Sequence, residues 1–160
     1  MAESRDIKVS AKSIYKVFGD KPSHALALLA EGKTKTEIFE ATGNTIGVQD
    51  ASFEVAEGKI FVVMGLSGSG KSTLIRHVNR LIEPTAGEVR VGGEDVRAMA
   101  PAALRAFRRH TTAMVFQKFA LLPHRSVLDN VVYGLEVQGL TRRDQVGRAM
   151  RWSERVGLAG

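Results

Sequence analysis

The feature that most constrains this chain is the run Gly65-Leu66-Ser67-Gly68-Ser69-Gly70-Lys71-Ser72, which fits the spacing G-x-x-x-x-G-K-[ST]. A continuous apolar stretch, Lys59–Met64, comes before it and reads as a strand buried on both faces of a parallel sheet. After it, Leu74, Ile75, Val78, Leu81 and Ile82 recur with helical period, and Pro84 ends that helix. Strand, glycine-rich loop and helix in that order suit the capture of phosphate groups. Glycine lets the backbone curl so that several N–H groups converge on one anion. Those groups lie at a helix N-terminus, whose dipole also favours negative charge. Gly65, Ser67, Gly68, Ser69 and Gly70 are the expected cradle. Lys71 is expected to reach the β- and γ-phosphates as a point charge, and Thr73 to hydrogen-bond the α-phosphate. The Ser72 hydroxyl is a hard oxygen ligand of the kind Mg²⁺ prefers. The expected ligand is a nucleoside triphosphate, ATP with Mg²⁺ before others. A glycine-rich turn with an exposed lysine is the alternative reading of the same run.

The flanking sequence alternates between strand and helix signals, which argues for an α/β fold with a parallel core. Ile7–Phe18 and Gly47–Val55 read as strands. Ser23–Glu31 and Thr36–Thr42 have helical character and are closed by Gly32 and Gly43. Glu88–Val91 reads as a strand and Gly92-Gly93 as a tight turn. A helix is expected from Pro101 to about Arg109, and an apolar strand at Thr112–Phe116. Ser126 caps a helix carrying Val127, Leu128, Val131, Val132 and Leu135. Thr141 and Asp144 open a last helix ending near Gly157.

The 160 residues are enough for one domain with a sizeable core, and no cysteine is present for disulfides or thiolate metal sites. The apolar runs are far shorter than the ~20 residues that span a bilayer, and the N-terminus lacks a secretory pattern. A cytoplasmic protein able to dock on a membrane protein is expected. The net charge of +6 raises the question of nucleic acid. The arginines fall at mixed spacings in helical stretches rather than in one basic tract interleaved with aromatics, so a solvated basic face is the simpler reading.

The motifs together resemble a known family. Gly65–Thr73 followed by Leu74 is similar to the Walker A loop of ATP-binding cassette (ABC) proteins. Met114-Val115-Phe116-Gln117 resembles their Q-loop, and Phe119–His124 with Ser126–Asn130 resembles the segment that follows it. Asn79–Val89, the insert Glu31–Val48 and Met114–His124 are similar to the ATPase subunits of quaternary-amine importers of the glycine betaine/proline type. The resemblance covers nearly all of residues 7–160. It implies a P-loop NTPase core with an N-terminal antiparallel β-subdomain, a short helical insert and the start of the ABC helical subdomain, incomplete. The chain 1–160 is then one truncated nucleotide-binding domain. Its parts are 7–58 with the insert at about 20–46, 59–117 to the Q-loop, and 118–160 as the beginning of the helical subdomain.

The resemblance also implies roles. Phe18 matches the aromatic that stacks on adenine, with Tyr15 the competing candidate. Gln117 matches the glutamine that touches Mg²⁺ and the attacking water, and Phe119–His124 the groove that receives a coupling helix. The implied partners are a transmembrane permease subunit, a second ATPase copy in a head-to-tail dimer and, indirectly, a periplasmic or extracellular substrate-binding protein; no nucleic acid is implied. The implied location is the cytoplasmic face of the membrane. The LSGGQ signature, the Walker B aspartate, the catalytic glutamate and the switch histidine do not follow in this sequence. The chain is therefore expected to be a fragment of a longer reading frame that hydrolyses little ATP alone and leaves apolar edges exposed. Two other readings are weaker. Another P-loop enzyme would leave Phe116–His124 without a purpose. In a helix-turn-helix module, Thr34–Gly43 would need a recognition helix after it, where Asn44–Gly47 runs into a strand.

Overall fold

A computed structural model of the chain describes residues 6–116 and 121–158. They belong to two compact units, divided between residues 100 and 101.

The first unit is built on four strands. β1 (Ile7–Phe18), β2 (Thr45–Ala56), β3 (Ala86–Val91) and β4 (Glu94–Asp95) form one antiparallel sheet in the order β2-β1-β3-β4. Along β1 the buried residues are Ala11, Ile14 and Val17, three apart rather than two. The spacing follows from irregular pairing: the β1–β2 register shifts between Ala11 and Ile14 and again between Lys16 and Val17. Ser13 takes φ 46°, and its N–H turns to the Ser52 hydroxyl at 2.8 Å instead of the ladder. An inserted residue of this kind bends the strand and re-aims the side chains beyond it. Gly92 and Gly93, both with positive φ, make the turn from β3 into β4, as their sequence suggests.

The expected helical pair is present as α1 (Pro22–Ala30) and α2 (Lys35–Thr42). Thr34 caps α2: its hydroxyl accepts from the Glu37 N–H, while the Glu37 carboxylate accepts from the Thr34 N–H. That N–H and the Thr34 hydroxyl, which also donates to the carboxylate at 2.8 Å, hold the Glu37 carboxyl below its ordinary range. The insert buries Ala25 and Ile38 against Val17 and Ile46, with Leu26, Leu28 and Leu29 packed around them. Helix α3 (Lys71–Val78) follows the glycine-rich loop and stops before Leu81 and Ile82. The chain turns there because Arg80 adopts φ 53°, and the Ile82 N–H donates to the Arg76 carbonyl.

Two expected strands are not strands. Lys59–Met64 and Thr112–Phe116 run without ladder partners among the described residues. Nor is Lys59–Met64 buried on both faces: Ile60, Val62 and Met64 are exposed, while the Phe61 ring stacks on Phe53 with centroids 5.0 Å apart. Phe61 itself stays 48% exposed, and only Val63 of the run is half-buried. An extended run becomes a strand, and loses both faces to the interior, only when neighbouring strands take its N–H and C=O groups.

The second unit holds α4 (Pro101–His110), α5 (Val127–Val137) and α6 (Arg142–Arg155). Ser126 and Thr141 cap α5 and α6 as read, each accepting from the third residue on, Asp129 and Asp144. The Ser126 hydroxyl and then Arg142, at 2.6 Å, hold the Asp129 carboxyl below its ordinary range. Phe107, Val132, Ala149 and the amide-bonded Gln145 are buried. No described helix is long and apolar enough to cross a membrane.

His77, on α3, is only 1% exposed. Its Nδ1 lies 2.8 Å from the Ile82 carbonyl, which can only accept, so Nδ1 carries the proton. Burial holds its pKa below the ordinary 6.5, with Lys16 adding to that and the Ile82 carbonyl and Glu83 opposing it. The unfolded chain therefore takes up this proton at a higher pH than the folded one. Stability is fully present above pH 6.5 and falls as the pH drops below it. Thermal melts at pH 7.5 and 5.5 are expected to show a lower midpoint on the acid side, and His77→Leu to shrink the difference.

Candidate phosphate-binding loop

The loop is pinned at both ends. At its start the extended backbone of Lys59–Met64 delivers Gly65. At its end Gly70 caps α3 in the left-handed region, with φ 88°. A Cβ on Gly70 would sit 2.2 Å from the carbonyl oxygen of Gly47, so the loop is pressed directly onto the β2 backbone. Between these ends the Ser69 N–H donates to the Leu66 carbonyl at 3.2 Å, closing the turn.

Lys71 occupies the first position of α3 and folds back across the loop. Its ammonium donates to the Gly65 carbonyl at 2.9 Å and the Leu66 carbonyl at 2.6 Å, and lies 3.4 Å from the Ser69 hydroxyl. An ammonium has three donors, and three oxygens receive them here. The cation is thereby held at the mouth of the glycine-rich turn.

Gly65, Ser69, Gly70 and Lys71 line a cavity of about 490 Å³ together with Gly47–Ala51. That volume lies within the range of small-molecule sites, ~300–1,000 Å³. Leu74 and the insert residue Lys35 also line it. Of the other expected residues, Ser67, Gly68 and Ser72 are exposed beside the cavity and Thr73 is half-buried. Gln117 lies outside the described residues, as do Phe119 and Ala120 of the segment after it.

Phe18 ends β1 and is 41% exposed. Its ring edge approaches Gly47 so closely that a Cβ there would meet Cε2 at 2.5 Å. Gly47 thus touches the aromatic ring on one side and the phosphate loop on the other. The motif reading passed over it, although a lone glycine inside a strand pattern signals close backbone approach. Asn44, also unremarked in the sequence, is 1% exposed and donates from its amide to the Lys21 carbonyl at 3.4 Å, tying the insert's two ends together.

The family model for ABC transporters matches residues 48–160, and the chain belongs to that family. Over 158 residues it is 50% identical to the glycine betaine transport ATP-binding protein OpuAA of Bacillus subtilis, covering 99% of this chain and 38% of that protein. Over 152 residues it is 48% identical to the glycine betaine/proline betaine transport system ATP-binding protein ProV of Salmonella typhimurium, covering 95% and 38%. The chain thus spans 38% of the length of these relatives. Its fold resembles the ATP-binding cassette MJ0796, solved as a dimer bound to ADP and Pi in a post-hydrolysis state. The TM-score is 0.70 at 25% identity, over 89% of this chain and 54% of that one. The likeness to quaternary-amine ATPases read from the motifs agrees with these names. The fold is that of the N-terminal part of a P-loop NTPase of the ABC type.

The ring contact at Gly47 is open to a direct check. Gly47→Val is expected to displace the Phe18 ring, which a Cβ at position 47 would meet at 2.5 Å, and to destabilise the chain by about 2 kcal/mol or more. The measurement is chemical denaturation; a variant as stable as the original would show that the contact with the ring is not tight.

Proposed function

We propose that this chain carries the ATP-binding part of an importer subunit that couples ATP binding and hydrolysis to uptake of glycine betaine, proline betaine or a similar small quaternary amine. The observation that carries the reading is the loop itself: a lysine ammonium gathered at the mouth of a glycine-rich turn that opens a helix beside a cavity of nucleotide scale. The donor set suits the ligand. Backbone N–H groups of Gly65–Gly70 and the Lys71 ammonium serve the phosphates, the Ser72 hydroxyl offers Mg²⁺ a hard oxygen, and Thr73 serves the α-phosphate. Phosphate oxygens would exchange for the carbonyls that now hold Lys71, since both are acceptors and the anion is the stronger one. Phe18 would receive the base, and Gln117 would meet Mg²⁺ and the attacking water.

ATP supplies the transferable phosphoryl group, and what the protein adds is positioning and charge stabilisation. Residues 1–160 contain no LSGGQ and no apolar run ending in Asp-Glu. In this reading the chain by itself binds nucleotide but turns it over slowly. Its partners are a permease subunit at the cytoplasmic face of the membrane and a second, head-to-tail copy of the ATPase. A substrate-binding protein outside the membrane acts through the permease. The relatives' names support the transport class, and the dimeric neighbour supports the pairing.

Binding of ATP with Mg²⁺ to the 160-residue chain, followed by a fluorescent nucleotide, tests the reading. Lys71→Ala is expected to weaken binding by about tenfold or more, the loss of a charge-assisted contact. Equal binding by the two proteins would sink it.

A further inference from the structure

Lys16 has no part in the loop, yet it stands over the ring that the proposed base would use. Its ammonium lies 5.1 Å from the Phe18 centroid, within the range at which a cation is attracted to a ring face. It is also fixed there, because it donates to the Glu83 carbonyl at 2.9 Å. Glu83 belongs to the segment just after α3, and that segment grips the end of β1 at several points. The Val17 N–H donates to the Thr85 hydroxyl at 3.0 Å, and the Thr85 N–H donates to the Tyr15 carbonyl at 2.8 Å. The ring's edge rests against Gly47. One edge and one face are therefore committed, and Phe18 is nonetheless 41% exposed.

We infer that Lys16 is a positioning and specificity residue for the nucleobase, acting through Phe18: it holds one face of the ring so that a base stacks on the opposite one, in the order cation, ring, base. The inference rests on the reading of Phe18 as the base platform. A cation on one face draws π density toward itself and leaves the far face less negative. Such a face stacks better on an electron-rich purine than on an electron-poor pyrimidine. An aromatic platform alone is tolerant of every base, so the cation supplies a purine preference that the ring lacks.

Three variants separate the charge from the tether. Lys16→Gln keeps a donor for the Glu83 carbonyl but removes the cation, Lys16→Arg keeps both, and Phe18→Ala removes the ring. Binding of ATP and CTP with Mg²⁺ is measured on the full 160-residue chain, with thermal melts of each variant alongside. Lys16→Gln is expected to weaken ATP binding about three- to fivefold, the worth of one such contact, and CTP binding less. Lys16→Arg is expected to retain the ratio, and in Phe18→Ala the glutamine substitution is expected to change nothing further. An unchanged ATP-to-CTP ratio in Lys16→Gln, tighter ATP binding by it, or the same loss in the Phe18→Ala background would overturn the inference. Absence of ATP binding by the unaltered chain would remove the underlying reading and this inference with it. ATP binding that ignores Lys16 would remove the inference alone.

Discussion

The first unit turns on one close approach, the backbone of Gly70 against the carbonyl of Gly47. A side chain at Gly70 would stand 2.2 Å from that oxygen, far inside contact distance, and the positive φ there excludes most residues independently. The contact decides where α3 begins relative to β2, and so where the N–H groups of the helix's first turn point. Lys71 follows at the next position and takes its place over the loop because the loop is already seated. The motif is usually read for the groups it presents to phosphate. Here its last glycine also bears a structural load, since it joins the loop to the antiparallel sheet.

What the sequence made legible was local. The pattern of Gly65–Ser72 located the loop and the helix after it, and Ser126 and Thr141 located two more helix starts through their side-chain caps. Thr34 and Glu37 carried the same signal in plain form, a capping box, and it places the start of α2 one residue before the expected one. The glycines after α1 and α2, and the pair between β3 and β4, are legible because each position needs a conformation that other residues avoid. The bulges in β1 were not legible. Ala11, Ile14 and Val17 fit neither a period of two nor 3.6, and only the pairing with β2 explains a spacing of three.

Long-range partners are the second thing that local pattern cannot supply. Lys59–Met64 has the composition of an interior parallel strand, but composition does not provide neighbours. Ile60, Val62 and Met64 are consequently exposed in a row, with Leu66 beyond them, the kind of apolar surface that proteins cover. Asn44 and His77 are hidden for a related reason. A buried polar side chain looks like any surface residue until the carbonyl that receives it comes into view, here Lys21 and Ile82. The proposed site divides along the same line: the loop is written in consecutive residues and Lys16 lies two residues from Phe18 on β1, whereas Gly47 meets Phe18 and Gly70 only through the fold.

Gly47 has one more implication. A single residue without a side chain lies against both the Phe18 ring and Gly70, so no side chain at position 47 props ring and loop apart. In the proposed reading, a ligand that reaches from ring to loop must match that span. The helical insert leaves the sheet at Phe18 and rejoins it at Thr45, so the ring sits at the root of the insert.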